Sequence, residues 1–238
     1  MDGADDTRGA DGSYEEWHSR PTGAVLWTRT ADDGPHRVLP DGCTDLIWLD
    51  GELIVAGPDT HGYVPAAVPG AHYAGLRFPP GRGPDFLGVP ADELRDLRVP
   101  LGAIWPGAQV RRLAESVADA ADRTAALERI AVDRLAETPR PDPRLAVVVA
   151  GLRAGEPVSA VAAGAGLGER QLHRRALAAF GYGPKTLARV LRMNRALDLA
   201  RSGTPFAEVA VDTGYADQAH LAREVKALAG VPLRELLV

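Results

Sequence analysis

The spacing of hydrophobic positions changes near the middle of this 238-residue chain. Between residues 23 and 78 apolar residues fall in short runs, "GAVLWTRT", "CTDLIWLDGELIVAG" and "AHYAGLRF". These are rich in Val, Ile, Leu and Trp, which predicts β-strands. Turn residues separate them: Asp32-Asp33-Gly34-Pro35, Pro40-Asp41-Gly42 and Asp50-Gly51. The last is the Asp-Gly dipeptide of a two-residue hairpin. Many short strands without intervening helices predict a small barrel or sandwich. Residues 79–106 are Pro/Gly-rich, with a short helix expected around Ala91–Leu97. From Ala108 the period becomes helical. Leu113 and Val117, then Leu127, Ile130, Ala131 and Leu135, predict helices over Ala108–Ala120 and Arg123–Ala136. "TPRPDP" (Thr138 to Pro143) follows, with three prolines in five residues, and predicts a stiff linker at 138–142.

Beyond the linker the pattern is helical throughout. The expected helices are Pro143–Ala154, Pro157–Ala163, Glu169–Phe180, Pro184–Arg201, Pro205–Thr213 and Gln218–Ala229, with a last turn near Leu233–Leu236. Pro157, Pro184 and Pro205 suit first turns, where a missing N–H costs nothing. Thr204 and Asp217 suit N-caps, and Gly155, Gly181 and Gly230 suit helix C-terminal ends.

Charge divides the chain at the same place. The net charge is -5, yet residues 140–238 carry 14 Lys+Arg against 9 Asp+Glu, and the rest carry 13 against 23. Two domains with different partners are expected, the second suited to a polyanion. The first dozen residues, "MDGADDTRGADG", are acidic and Gly-rich and read as a disordered tail over 1–12. Cys43 is the only cysteine, which excludes an intramolecular disulfide and a cysteine-only zinc site. No apolar run approaches the roughly 18 residues of a membrane span, so a cytoplasmic protein without membrane contact is expected.

The basic C-terminal region contains a unit that occurs twice. "VSAVAAGAGLGERQLHRRALAAFGYGP" (from Val158) aligns with "FAEVAVDTGYADQAHLAREVKALAGVP" (from Phe206). Val161 and Ala162 match Val209 and Ala210; Gly166 matches Gly214, and Leu167 matches Tyr215. After one extra residue, Leu172 matches Leu221, Arg174 matches Arg223, and Gly181 matches Gly230. Each element has a reason in a helix-turn-helix. A small Ala lets two helices cross closely, Gly turns the chain in the left-handed conformation, and the next apolar residue fills the gap between the helices. The second helix of each unit then presents one polar face. In the first copy that face carries Arg170, His173 and Arg174; in the second, Gln218, Ala219, Ala222 and Arg223. Arg and Gln suit guanine and adenine edges in the DNA major groove.

The run "QLHRRALAAFGYGPKTLARVLRMNRAL…FAEVAVDTGYADQAHLAREVKALAGVPL" resembles the DNA-binding domain of the AraC/XylS family of bacterial transcription regulators, over about residues 143–237. The resemblance rests on the two units, on a linking helix with Arg192 and Ala196, and on a G-[YF]-x-[DS]-x-x-[HY]-[LF]-x-R-x-[FV]-K run at Gly214–Lys226. It implies two recognition helices in successive major grooves of double-stranded DNA, with Arg170, His173, Arg174, Gln218, Ala219, Ala222 and Arg223 facing bases and Lys226 a phosphate. Two positions depart from the family pattern. Gly168 replaces the usual Ser/Thr cap, and Ala176 stands at a core aromatic position for which Phe180 is placed to compensate. The N-terminal half more loosely resembles the cupin-like sensing domains of this family, in the segment "LPDGCTDLIW" (Leu39 to Trp48). That likeness implies a small-molecule effector or dimerisation domain.

The fold expected is therefore α+β: a small cupin-like β-barrel with trailing helices over 13–137, then an all-α domain over 143–238 with two helix-turn-helix units joined by a long helix. The resemblance implies a homodimer paired through the helices at 108–136, and contact with RNA polymerase if the protein activates. The stripe on those helices is equally explained by packing on the barrel. For the effector, Trp27, Cys43, Asp45 and Trp48 are the candidate contacts. Strand alternation puts Cys43, Asp45, Ile47 and Leu49 on one face and Thr44, Leu46 and Trp48 on the other. Trp27 and Trp48 fit either core or a ligand wall. Asp45 fits either a buried acceptor for a ligand or a paired structural acid. Cys43 reads as a small buried hydrophobe before a redox sensor.

No metal and no cofactor are expected. His36, His61 and His72 are scattered, without the H-x-H of a metal-dependent cupin, and "GAGLG" lacks the dinucleotide spacing. Enzyme activity is not expected either. A DNA-repair alkyltransferase carries a similar helical domain, but one cysteine cannot supply its nucleophile and its metal ligands. A protein-interaction role for the first half remains the other reading.

Overall fold

The computed structural model describes residues 7–8, 14–32, 36–66 and 69–237. The N-terminal half is built on a single antiparallel sheet. Its strands are β1 (Thr7–Arg8), β2 (Tyr14–His18), β3 (Val25–Thr30), β4 (Thr44–Leu49), β5 (Glu52–Ala56), β6 (His72–Phe78) and β7 (Arg98–Pro100), in the order β1-β2-β3-β6-β4-β5-β7. The Asp50-Gly51 turn joins β4 to β5 as the sequence predicts. Both residues have positive φ (47° and 89°), the signature of a two-residue hairpin turn.

Among the described residues the expected barrel is not closed. β1 and β7 are the two edges of the sheet and do not pair with each other. With two and three residues respectively they are too short to supply the staggered ladder that closure needs. β2 and β7 were not anticipated: "YEEWH" is mostly polar, and "RVP" is too short to show a period. Thr7–Arg8, assigned to a disordered tail, pair with Glu16 and Glu15 on β2; the remainder of residues 1–12 and the Asp33–Pro35 turn lie outside the described residues.

Helix α1 (Gly83–Leu87) and a 3-10 turn at Ala91–Glu93, shorter than the helix expected there, lead into α2 (Gly107–Ala118) and α3 (Arg123–Ala136). These two cover one face of the sheet. Ala114, Val117, Leu127, Ile130 and Ala131 pack with Leu26, Leu46, Trp48, Leu76 and Phe78 in one core. The apolar stripe on α2 and α3 is thus spent on the sheet, and it is no argument for a dimer face. Residues 137–142 carry no helix, and a second core begins beyond them.

That second core joins α4 (Pro143–Ala154), α5 (Val158–Gly164), α6 (Glu169–Phe180), α7 (Pro184–Arg201), α8 (Phe206–Asp212) and α9 (Gln218–Ala229), with a closing 3-10 turn at Leu233–Leu236. Four of the six helices have the bounds expected from sequence. The other two start one residue late because Pro157 and Pro205 occupy the N-caps, so Thr204 is not a cap. Asp217 is: its carboxylate accepts from the His220 N–H at 2.6 Å.

One position of the sheet tests this packing. At Gly75, a Cβ would stand 2.1 Å from the Trp27 ring. Gly75→Ala should displace Trp27 and destabilise the chain by about 1–3 kcal/mol, read as a lower denaturant midpoint. An unchanged midpoint would show that the ring does not rest on that backbone.

Candidate nucleic-acid interface and ligand cavity

The turn of each repeat unit is built alike. Ala162 and Ala210 are buried at the crossings α5–α6 and α8–α9. Gly166 and Gly214 follow with φ of 65° and 78°, a conformation that costs a side-chain-bearing residue about 1–2 kcal/mol. Leu167 and Tyr215 are the buried plugs. Beyond the turns, α6 buries Leu172, Ala176, Ala179 and Phe180, and α9 buries Leu221, Val225, Leu228 and Ala229. Ala176 is fully buried beside Phe180, so an aromatic one turn later occupies the core position that lacks one. Gly168 has no side chain to cap α6; instead its own N–H donates to Gln171 Oε1 at 3.2 Å, satisfying the donor from the other side.

All eight residues proposed for DNA contact are solvent-exposed: Arg170, His173 and Arg174 on α6, and Gln218, Ala219, Ala222, Arg223 and Lys226 on α9. The His173 ring lies beside Gly183, where a Cβ would stand 2.9 Å from it, and so leans toward the α6–α7 turn. Arg175, third arginine of the same cluster, does not share their face. It is bonded at 2.7 Å to Asp142, the N-cap of α4.

The linking helix α7 holds the two units with arginines. Arg189 binds Glu224 on α9 at 2.8 Å. Arg192 lies over the Tyr215 ring at 5.5 Å, where burial pushes the phenol pKa up to about 12. Arg195 donates to the carbonyl of Arg153, near the end of α4, at 3.2 Å and to the carbonyl of Asp212 at the end of α8. A cation between two helix C-termini satisfies orphan carbonyls of both.

A cavity of about 590 Å³ lies on the sheet face opposite α2 and α3. Strand alternation selects its lining: Cys43, Asp45, Ile47 and Leu49 near and along β4; Tyr73 and Arg77 on β6; Trp27 and Arg29 on β3. Three of the four candidate effector contacts therefore meet here. The fourth does not. Trp48 points to the other face, buried under α2 and α3 with the Arg123 guanidinium 4.3 Å from its ring. Its odd-numbered spacing from Asp45 along the strand is what separates them.

At the base of the cavity Asp45 faces Arg77 in the β4–β6 register. Its carboxylate accepts from Trp27 Nε1 at 2.8 Å and from Arg77 Nε at 3.3 Å. Burial pushes the Asp45 pKa up, against the pull of Arg77 and of the Trp27 N–H. Asp41 adds a second carboxylate 3.5 Å from Arg77. Burial also holds the Cys43 thiol up, so it stays protonated and a poor nucleophile. At the rim Arg98 binds Asp59, and its guanidinium stacks 4.1 Å above Tyr63. Tyr14, Glu16 and Arg29 complete one wall, with Tyr14 stacked on Trp27. Sequence reasoning missed Arg77, although β6 alternation and its pairing with Asp45 would place it. It also missed Asn194 and Arg201, two α7 residues that line the cavity from the helical domain. No local pattern marks those two, because they arrive through interdomain packing. Among the described residues no group of His, Cys, Asp and Glu could hold a metal ion, and no helix is long and apolar enough to cross a membrane.

Residues 161–237 match the family described as a helix-turn-helix domain, and residues 23–100 match a domain of unknown function. No curated protein matches the sequence. Among solved structures the chain is similar to ToxT from Vibrio cholerae, at 8% identity with a TM-score of 0.48, covering 90% of this chain and 97% of that one. It is also similar to unsaturated fatty acid-bound ToxT, at 9% identity with a TM-score of 0.45, covering 89% and 93%.

The placement of Arg174 and Arg223 on different helices carries a prediction. Arg174→Ala and Arg223→Ala should each lose about 1–3 kcal/mol of binding, at two different sub-sites about 10 base pairs apart. Base-by-base substitution of a bound fragment reads this out, and loss at the same bases for both variants would contradict two separate grooves.

Proposed function

We propose that this chain, whose residues 161–237 match a helix-turn-helix domain, is a sequence-specific, one-component transcription regulator of the AraC type controlled by a small molecule held in the cavity. The observation that carries the first half is the pair of equivalent units. Each exposes the polar face of its second helix, and α7 braces both. At 18 residues α7 spans about 27 Å, enough to hold two recognition helices near the roughly 34 Å of one DNA turn. The second half rests on the cavity's position. It is walled by the sheet on one side and by Asn194 and Arg201 of the DNA-binding domain on the other, so an occupant would touch both.

The cavity suits a ligand with an aromatic or apolar portion, set against Trp27, Ile47 and Leu49, and with polar groups that meet Arg77 and Asp45. No catalytic step belongs to this reading. Dimerisation, and contact with RNA polymerase where the protein activates, would use surface other than the α2–α3 stripe, which is buried against the sheet.

Two measurements test it. Residues 140–238 contain every buried residue of the second core. This fragment should fold and bind DNA, with an affinity that falls steeply as salt rises because bound counterions are released; failure to bind any genomic fragment at low salt would remove the regulator reading. Effector control is tested on the intact chain. Trp17, Trp27, Trp48 and Trp105 all precede residue 140, so tryptophan fluorescence reports on the β-rich domain. A metabolite that quenches it saturably should also change DNA affinity, and DNA should change the affinity for that metabolite by the same factor. A compound that acts equally on the 140–238 fragment would place the sensor elsewhere.

A further inference from the structure

We propose that the β-rich domain sets the placement of the two recognition helices by capping both at their C-terminal ends, with Arg37, Gly62 and Arg95 as the positioning residues. The output of this device rests on the DNA-binding reading above; its geometry does not. An α-helix leaves its last four carbonyls without donors of its own. In α9 two of these are met from the other domain: the Gly62 N–H donates to Leu228 O at 2.6 Å, and Arg37 Nη1 to Ala229 O at 3.1 Å. At the end of α6, Arg95 Nη1 donates to Gly181 O at 3.1 Å.

Gly181 and Gly230 are equivalent positions of the repeat, and both are left-handed C-caps, with φ of 79° and 80°. The β-rich domain therefore meets the same end of each copy, at carbonyls one or two residues apart in the repeat. Two of the three donors are guanidinium groups, which also meet the negative end of a helix dipole. The approach is close: a Cβ at Gly62 would stand 2.6 Å from Ala229 O, and one at Gly181 2.6 Å from Pro58 Cγ. At both glycines a side chain would clash with the other domain.

The grip leaves the DNA-facing side free. Arg174 and Arg223 are exposed on the docked chain, so the contact does not mask them; it decides where they point. Each recognition helix has 12 residues, a rod of about 18 Å. A small shift at its capped end therefore moves the end that enters the groove. Arg37 also lines the cavity. One side chain thus touches both ligand space and the end of the second recognition helix.

The experiment uses the full chain and a DNA fragment selected by it, then the same fragment with one or two base pairs inserted between its two sub-sites. The parent should lose at least about tenfold in affinity on insertion. Arg37→Ala and Arg95→Ala should lose less than about threefold, Arg37→Lys should keep the parent's dependence, and affinity for an isolated sub-site should not change in any of them. A fold merely weakened by substitution would lower all affinities together. Equal spacing dependence in parent and variants overturns the proposal. Hydrogen exchange on the DNA-free chain gives a second readout. The Gly62 amide and the last turn of α9 should be protected in the parent and exchange faster in Arg37→Ala. A Gly62 amide exchanging at the unprotected rate in the parent also overturns it. A parent that selects no DNA at all sinks the regulator reading, and exchange still decides the capping.

Discussion

Successive side chains of a strand point to opposite faces, and in β4 and β6 this alternation governs the rest of the architecture. Leu46 and Trp48 on one strand, with Ala74, Leu76 and Phe78 on the other, form a continuous apolar wall that draws α2 and α3 onto the sheet. The residues between them, Asp45, Ile47, Tyr73 and Arg77, are left on the opposite face. There they are too polar to make a core and too buried to be an ordinary surface. A buried carboxylate without donors would cost several kcal/mol. Asp45 avoids that cost because the register puts Arg77 directly across from it and Trp27 within hydrogen-bond reach. The same pairing sets an ion pair into the cavity floor.

The helical domain meets this floor through α7. Helices commonly use one face for the core and leave the other to solvent, but α7 is contacted on several sides. Its apolar residues Leu187, Val190, Met193 and Leu197 join the second core. Its arginines brace α4, α8 and α9, and Asn194 donates to Pro40 O in the β-rich domain at 3.0 Å. Near that contact, a Cβ at Gly42 would stand 3.1 Å from the Leu187 side chain. The interface is closely packed yet not fully satisfied. The Tyr182 hydroxyl, buried where α6 turns into α7, has no hydrogen-bond partner among the described residues. Burying an unmet hydroxyl costs about 1–3 kcal/mol, which lowers the stability of this docked arrangement relative to an opened one.

The helical domain was legible in the sequence to within a residue because its signals are local. Proline and glycine mark the ends of helices, and the repeat reveals its own turns. The exposed faces of α6 and α9 followed from period alone. The β-rich domain was legible only in its strongest runs. "YEEWH" pairs along its backbone with β3, and a ladder of that kind places few demands on side chains. Strand count suggests barrel closure, whereas closure depends on the length and stagger of edge strands, which composition does not encode. Residue type groups Trp48 with Asp45 as a ligand contact even though alternation already separates them. Arg77, Asn194 and Arg201 needed long-range pairing to be seen at all.

The cavity wall is completed by residues of the neighbouring domain, and this bears on how such a chain can evolve. A domain that owned its whole cavity could be joined to a different helical domain with that cavity intact. Here Asn194 and Arg201 would stay behind, and the transplanted site would lack one side. The cavity lining is thus divided between the two domains, with most of it on the sheet. Recombination at the proline-rich junction around residue 140 would split that lining, so the two halves are expected to have diverged as a unit.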